Sequence, residues 1–169
     1  MKTLILLIAM MFYGTFLFSQ TSDSTKKTST FQLDLGIGAG LIRNTASPSI
    51  EASFSHKHKN KWEIGINTIT YFFFEQSIKA NNTKDFKAYI NTFLNAEFLI
   101  NGLFNNENTN KKDWKGFGLG YLIDNNGGYF KGATAKLYFI SRYKYFTVIP
   151  EIIFTDDFKS MFPGFTIVF

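Results

Sequence analysis

The chain predicts an all-β fold, an eight-stranded antiparallel up-and-down transmembrane β-barrel, and three observations carry that expectation. Apolar residues alternate with polar or small ones at period two through eight separate segments, while no segment sustains the 3.6-residue spacing of a helix. Aromatic residues make up 18% of the chain, with 21 Phe, a share unusual in soluble domains and common in barrel walls and their interfacial girdles. The last nine residues place Met161, Pro163, Phe165, Ile167 and Phe169 on one face of a strand that finishes on an aromatic residue.

Each element follows in order. Met1 and Lys2 give a positive start, Leu4 to Phe18 are almost wholly apolar, and Ser19 is a small residue before a cut. Residues 1–19 therefore read as a secretory signal peptide, with Gly14 and the polar tract beyond arguing against an uncleaved anchor. No Cys follows to carry a lipid. With zero cysteines there is no disulfide framework either, so stability must come from strand pairing and burial. Residues 20–30, QTSDSTKKTST, lack apolar anchors and read as a disordered lead-in; residues 31–169 read as one barrel domain.

Within the barrel, Phe31, Leu33, Leu35, Ile37, Ala39 and Leu41 form the apolar face of the first strand, against Gln32, Asp34 and three glycines. Ile50, Ala52 and Phe54 alternate with Ser and Glu51. Trp62, Ile64 and Ile66 alternate with Glu63, Gly65 and Asn67, and the phase then blurs from Thr68 to Phe74, where a bulge or an aromatic belt would sit. The longest alternation runs from Phe86 to Phe98. Gly116 to Ile123, Gly132 to Phe139, Phe146 to Phe154 and the terminal segment complete eight strands. Turn chemistry separates them at Asn44–Pro48, Lys57–Asn60, Asn101–Asp113, Asp124–Gly128, Ser141–Lys144 and Thr155–Lys159. An even strand count puts both ends on the periplasmic side. The turns near 57–60, 101–112 and 141–144 then face the periplasm, and 101–112 is long for such a turn.

An eight-stranded barrel is just wide enough to be filled by its own side chains, so a general porin is disfavoured on geometry. The inward face collects Asp34, Glu51, Glu63, Glu97, Glu151 and Lys136, with Lys87 a further candidate. Buried charges must be paired, so these read first as a structural polar network with Ser, Asn, Thr and Tyr as fillers. The surplus of acids leaves a proton or cation site as the sharper alternative. Gly36-Ile-Gly-Ala-Gly40 and Gly116-Phe-Gly-Leu-Gly120 are no phosphate loops, because their glycines recur every second residue and no helix follows. They read as space cleared for Tyr89, Phe93 and Tyr138.

Net charge is +5, +4 without Lys2, and the basic residues are scattered, which is no nucleic-acid signature. Lys57, Lys59, Lys61, Lys111, Lys112, Lys115, Arg142 and Lys144 gather near the periplasmic ends, where solvated turns explain them and a ring meeting anionic headgroups is the functional alternative. On the outer side Asp124, Asp156 and Asp157 offset Arg43, Lys79 and Lys159. Both histidines lie in Ser55-His-Lys-His58, which reads as a solvated basic turn. Two histidines without a convergent third ligand make no metal site.

In layout, residues 31–169 resemble the small eight-stranded outer-membrane barrels grouped with the transmembrane domain of outer-membrane protein A and its relatives. The resemblance rests on the signal peptide, the strand count and Phe169. It implies a non-enzymatic anchor, adhesion or envelope-integrity role in the outer membrane of a Gram-negative cell, with no cofactor, and carries over no catalytic residue. Phe165, Ile167 and Phe169 would be the assembly signal read by the barrel assembly machinery. Outer-membrane lipids and an unknown envelope protein are the other expected partners. Some small barrels are lipid A deacylases with an outward Ser and His, but their His-x-Ser-Asn pattern is missing from this sequence. The Asn, Lys and Phe richness and the Ser-Gln junction are similar to AT-rich Bacteroidetes-type chains. The rivals are a soluble periplasmic lipocalin-like barrel that buries its apolar face around a ligand, and an accessory subunit of a secretion or gliding machine.

Overall fold

Period-two alternation gives a sheet two unlike faces, and one way to segregate them without leaving an unpaired edge is to close the sheet on itself. A computed structural model describes residues 29–59, 61–78, 84–103 and 113–169, and these form a closed barrel with the strands in sequence order. The strands are β1 (Ser29–Ile42), β2 (Thr45–His58), β3 (Trp62–Ile78), β4 (Lys84–Asn101), β5 (Trp114–Asn126), β6 (Ala135–Arg142), β7 (Thr147–Thr155) and β8 (Ser160–Val168). Every neighbouring pair is antiparallel, and β8 closes on β1 through Leu41↔Phe165 and Ala39↔Ile167. Ile37 and Phe169 finish the seam by exchanging backbone hydrogen bonds of 2.8 and 3.2 Å.

Closure is staggered. A circuit of paired residues that leaves β1 at Ile42 passes Gly164, Glu151, Tyr138, Gly118, Glu97, Gly65 and Ser55 and returns to β1 at Gln32, ten residues lower. Such a shear tilts the strands and, at eight strands, fixes an interior that side chains can fill. The members of this circuit face inward, and three of them, Gly164, Gly118 and Gly65, are glycines set beside bulkier side chains. A Cβ on Gly118 would collide with the Tyr138 ring, and one on Gly40 would meet the Tyr71 ring at 3.0 Å. Tyr89, by contrast, packs beside Gly127 in the loop after β5 rather than over either glycine run.

Several boundaries differ from those expected. The signal peptide and residues 20–28 lie outside the described residues, and β1 starts at Ser29 because Ser29 and Thr30 pair with His58 and Lys57. The turn expected over Asn44–Pro48 is only Arg43-Asn44, both at positive φ, the backbone twist that joins two strands most tightly. Pro48 is therefore a strand residue. Its missing N–H would have served the Phe72 carbonyl, which instead accepts from the Ser47 hydroxyl at 3.0 Å. The blurred segment of β3 is regular: Ile69, Tyr71 and Phe73 continue the inward face of Glu63 and Asn67, and the pattern blurs because the inward face turns apolar while Thr68 and Thr70 share the outward one with Phe72 and Phe74. The register break falls instead in β4–β5, between Thr92 and Phe93, leaving Ile123 opposite no partner.

The interior has two zones. Near the ends of β1 at Ser29 and β2 at His58 it is ionic; toward the other mouth it is aromatic, with Tyr71, Phe73 and Phe93 joined by Tyr129 and Phe130 from the β5–β6 loop. Phe73 and Tyr129 stack at 3.8 Å, and Phe130 meets Phe73 and Phe93 edge-on at 6.0 and 5.6 Å. That loop is held down by Asn125 Nδ2 donating to the Phe130 carbonyl (2.6 Å), by Asp156 N donating to the Lys131 carbonyl (2.6 Å) and by Ala133 N donating to Asp157 Oδ1 (2.9 Å). This latch uses Gly132 at φ +58° and delays the start of β6 to Ala135, three residues later than the Gly132 expected from the alternation.

Because Gly118 makes room for the Tyr138 ring, Gly118→Ala is expected to destabilise the barrel by about 1–3 kcal/mol. Tyr138→Ala should cost less in that background than in the unaltered chain, as read by urea unfolding. Additive losses would show that the two positions do not share the space.

Candidate functional site

The charged interior arises from residues that the alternation turns away from the apolar face, brought together by the stagger. Glu63 of β3 is fully buried and receives Arg142 of β6, whose Nη1 donates to Oε1 at 2.5 Å, and Lys57 of β2, whose Nζ lies 3.5 Å from Oε2. Arg142 also reaches Glu97 of β4, with Nη2 3.6 Å from Oε2. The other oxygen of Glu97 accepts from Tyr138 OH (3.0 Å) and from Asn67 Nδ2 (2.5 Å), and the same Asn67 nitrogen donates to Glu51 Oε1 at 3.0 Å. Asn95 Nδ2 donates to Asn67 Oδ1, fixing the amide orientation. At the open end Lys57 donates to Gln32 Oε1 (2.6 Å), and Gln32 Nε2 donates to Asp34 (2.8 Å). Asp34, Glu51, Glu63 and Glu97 thus belong to one continuous chain of contacts.

A second cluster sits higher in the barrel. Lys136 Nζ lies 2.8 Å from Glu151 Oε2, both side chains fully buried. Glu151 Oε1 accepts from Tyr71 OH and Thr166 Oγ1, each at 3.0 Å, and Lys136 also donates to Tyr71 OH at 3.3 Å. The ammonium sits 4.8 Å over the Phe93 ring and 5.0 Å over Tyr138, which joins the two clusters. Around an ammonium that water does not reach, ring faces and a carboxylate replace hydration.

Two residues change role relative to the sequence reading. Lys57 and Arg142, expected in a solvated periplasmic ring, turn inward and supply the cations that Glu63 and Glu97 need. The signal was available: Lys57 lies in step with Ser53 and Ser55, and Arg142 with Lys136 and Tyr138. Lys59, Lys61 and Lys144 remain exposed; Lys111, Lys112 and Lys79 lie outside the described residues. Lys87 shares the inward parity of Tyr89 but is exposed, its Nζ 4.6 Å over that ring, because the β3–β4 hairpin rises past the rim. Arg43 lies 4.7 Å over Phe162 at the same end.

Ser55 and the histidines are separated by the pleat. Ser55 points inward, whereas His56 and His58 point outward, His56 against Phe31 at 4.6 Å and His58 stacked on Trp62 at 5.0 Å. Phe165, Ile167 and Phe169 lie on the outward face of β8, the first and last well exposed. Comparison of the chain with protein-family models, with curated proteins and with solved structures finds no match.

Removing one member of a buried pair strands the other charge, whereas removing both can be nearly neutral. Arg142→Met should therefore destabilise the barrel by about 3 kcal/mol, and Glu63→Gln added to it should regain part of the loss, Glu97 still lacking its guanidinium. Equal effects of the single and double variants in unfolding experiments would show that Lys57 alone suffices for Glu63.

Proposed function

We propose that the protein is an integral outer-membrane β-barrel of a Gram-negative envelope, without catalytic activity, serving as a structural or interaction module. In this reading residues 1–19 export it, and the barrel assembly machinery recognises the strand bearing Phe165, Ile167 and Phe169. The observation that carries the reading is the sign of the two faces. In β4 the alternation at mid-strand puts Leu94 at 46% and Phe98 at 45% exposure, while Asn95 and Glu97 stand at 1% and 7%. Leu35, Ile37, Phe117, Leu119 and Ile152 continue the apolar belt on other strands. A wall that exposes Leu, Ile and Phe while burying Glu, Lys and Asn suits a hydrocarbon solvent and is costly in water.

The lipocalin-like alternative needs the reverse polarity and an apolar chamber for a ligand. Here the aromatic end of the interior is occupied by Tyr129 and Phe130 of the chain's own loop, and the rest by ion pairs. The outward cluster of Phe31, Phe54, His56 and Trp62 at the lower rim, with Phe31 and Phe54 stacked at 5.7 Å, suits a headgroup-level girdle.

The protein is expected in the outer-membrane fraction, with heat-modifiable migration on a gel. Single labels at Leu94, Asn95, Ala96 and Glu97 should alternate in accessibility to a lipid-soluble quencher, high at 94 and 96. Recovery in the soluble periplasm, or shielding of 94 and 96, overturns the membrane assignment.

Phe169 both bonds Ile37 and ends the outward row of β8, so Phe169→Asp should lower the amount of assembled barrel in the membrane. Undiminished membrane levels of that variant would remove the assembly role assigned to the β8 face.

A further inference from the structure

The two ends of the barrel differ in charge. At the upper end acids stand among the cations: Lys87 is opposite Glu75 in the β3–β4 register, and the backbones of Lys131 and Lys159 bond to that of Asp156. At the lower end Glu51, Glu63 and Glu97 turn inward and are met there by Asn67, Arg142 and Lys57, so they offset nothing outside. Lys144 stands at the mouth of the lumen beside Asp34. That leaves Lys59, Lys61 and Lys115 outside the lumen, and among the described residues Asp113 is the only acidic side chain with them. The neighbouring stretches of sequence are basic as well, residues 20–28 with Lys26 and Lys27 against Asp23, and 104–112 with Lys111 and Lys112 against Glu107.

Register gathers this charge on aromatic ground. His58, Trp62, Ile100 and Lys115 form one outward row across β2 to β5, and Phe31, His56 and Ile64 form the row above it. His58 is stacked on Trp62 at 5.0 Å with the ring planes 20° apart, and His56 lies 4.6 Å from Phe31 and 6.1 Å from Trp62. Lys59, at φ +47°, turns the chain so tightly that Lys61 N donates to the His58 carbonyl at 2.8 Å. Both lysines therefore leave the backbone beside the imidazoles. His56 Nδ1 is enclosed and has no hydrogen-bond partner. An enclosed N–H without an acceptor is tolerated less well than an enclosed lone pair, so the ring proton belongs on Nε2, the nitrogen left to meet a ligand.

We propose that this corner of the lower rim, built from His56, His58, Lys59, Lys61 and Trp62, binds the phosphate of an anionic phospholipid. The site presupposes the membrane reading and adds to it the lipid that the rim selects. Imidazole and ammonium N–H groups donate strong hydrogen bonds to phosphate oxygens, while the Phe31 and Trp62 rings suit the depth at which acyl chains give way to headgroups. A zwitterionic headgroup brings its own ammonium and leaves the lysines without a counterion, whereas a net negative one supplies it. An acidic polypeptide is a poorer occupant. It would match the lysines but leave Phe31 and Ile64, 60% and 53% exposed, facing water, and an acyl chain covers both.

The test is quenching of Trp62 fluorescence in the full chain carrying Trp114→Phe, reconstituted into phosphatidylcholine vesicles. The vesicles contain, at equal mole fraction, either phosphatidylglycerol or phosphatidylcholine spin-labelled near the headgroup. Trp114 packs against the core beneath Lys57, and phenylalanine keeps a ring there. The anionic quencher should act as though at least about threefold enriched over the zwitterionic one. That excess should vanish in about 1 M salt, where the screening length falls to about 3 Å. Lys59→Gln with Lys61→Gln, and separately His56→Gln with His58→Gln, should each reduce the enrichment and leave quenching by phosphatidylcholine unchanged. A tryptophan at the upper rim, Phe86→Trp in a chain with Trp62→Phe and Trp114→Phe, should be quenched alike by both lipids. Equal quenching of Trp62 by the two lipids overturns the proposal, as does an enrichment that neither pair of substitutions lowers or that the upper rim shares. Loss in the lysine pair alone overturns the part given to the imidazoles. Quenching by neither lipid overturns the membrane reading and the site with it, a result distinct from quenching by both alike. The comparison of lipids needs no charge substitution, and the unaltered chain gives it over a constant Trp114 background if Trp114→Phe fails to assemble.

Discussion

Closure of the sheet with a ten-residue stagger is the constraint on which the other features depend. It decides which inward residues share a level, and so brings Arg142 of β6 between Glu63 of β3 and Glu97 of β4, although the three are far apart in sequence. A different shear would offer the same residues other neighbours and leave carboxylates buried without cations. The seam that enforces it is short: five residue pairs and the reciprocal bonds of Ile37 and Phe169 join β1 to β8, against seventeen pairs in β3–β4.

Given that circumference, packing and electrostatics divide the interior between them. Glycine stands opposite bulk, Gly118 against Tyr138 and Gly164 against Glu151, so that large polar side chains lie across the lumen. Each carboxylate in the lumen is then met by a guanidinium, an ammonium, an amide or a phenol, which is the condition for burying charge without losing several kcal/mol. The opposite end is closed by rings rather than ions, and the loop that delivers Tyr129 and Phe130 is anchored to the β7–β8 turn by Asp156 and Asp157. The two halves meet where the Lys136 ammonium faces the Phe93 and Tyr138 rings.

The functional reading follows from which chemistry faces where. An interior of this kind is occupied by its own side chains, so what the molecule offers to others lies on its surfaces: an apolar outer wall and an aromatic lower rim.

Much of the fold was legible because period two is a local property: the strand count and the outward rows of Leu33, Leu94 or Ile152 require only that neighbouring side chains point oppositely. Turn chemistry placed the connections less well. Thr45–Pro48 looks like a turn until the Ser47 hydroxyl is seen to stand in for the proline's missing donor, and the loop before Ala135 is lengthened by contacts with Asp157 that no local pattern announces. The inward parity of Asp34, Glu51, Glu63, Glu97, Lys136 and Glu151 can likewise be read along each strand. Their partners cannot, because which cation meets which acid depends on the stagger between strands, a property of the closed ring and of no single segment. Lys57 and Arg142 show the difference: by sequence they belong to polar turns, and only closure of the barrel carries their charges to the buried carboxylates that hold them.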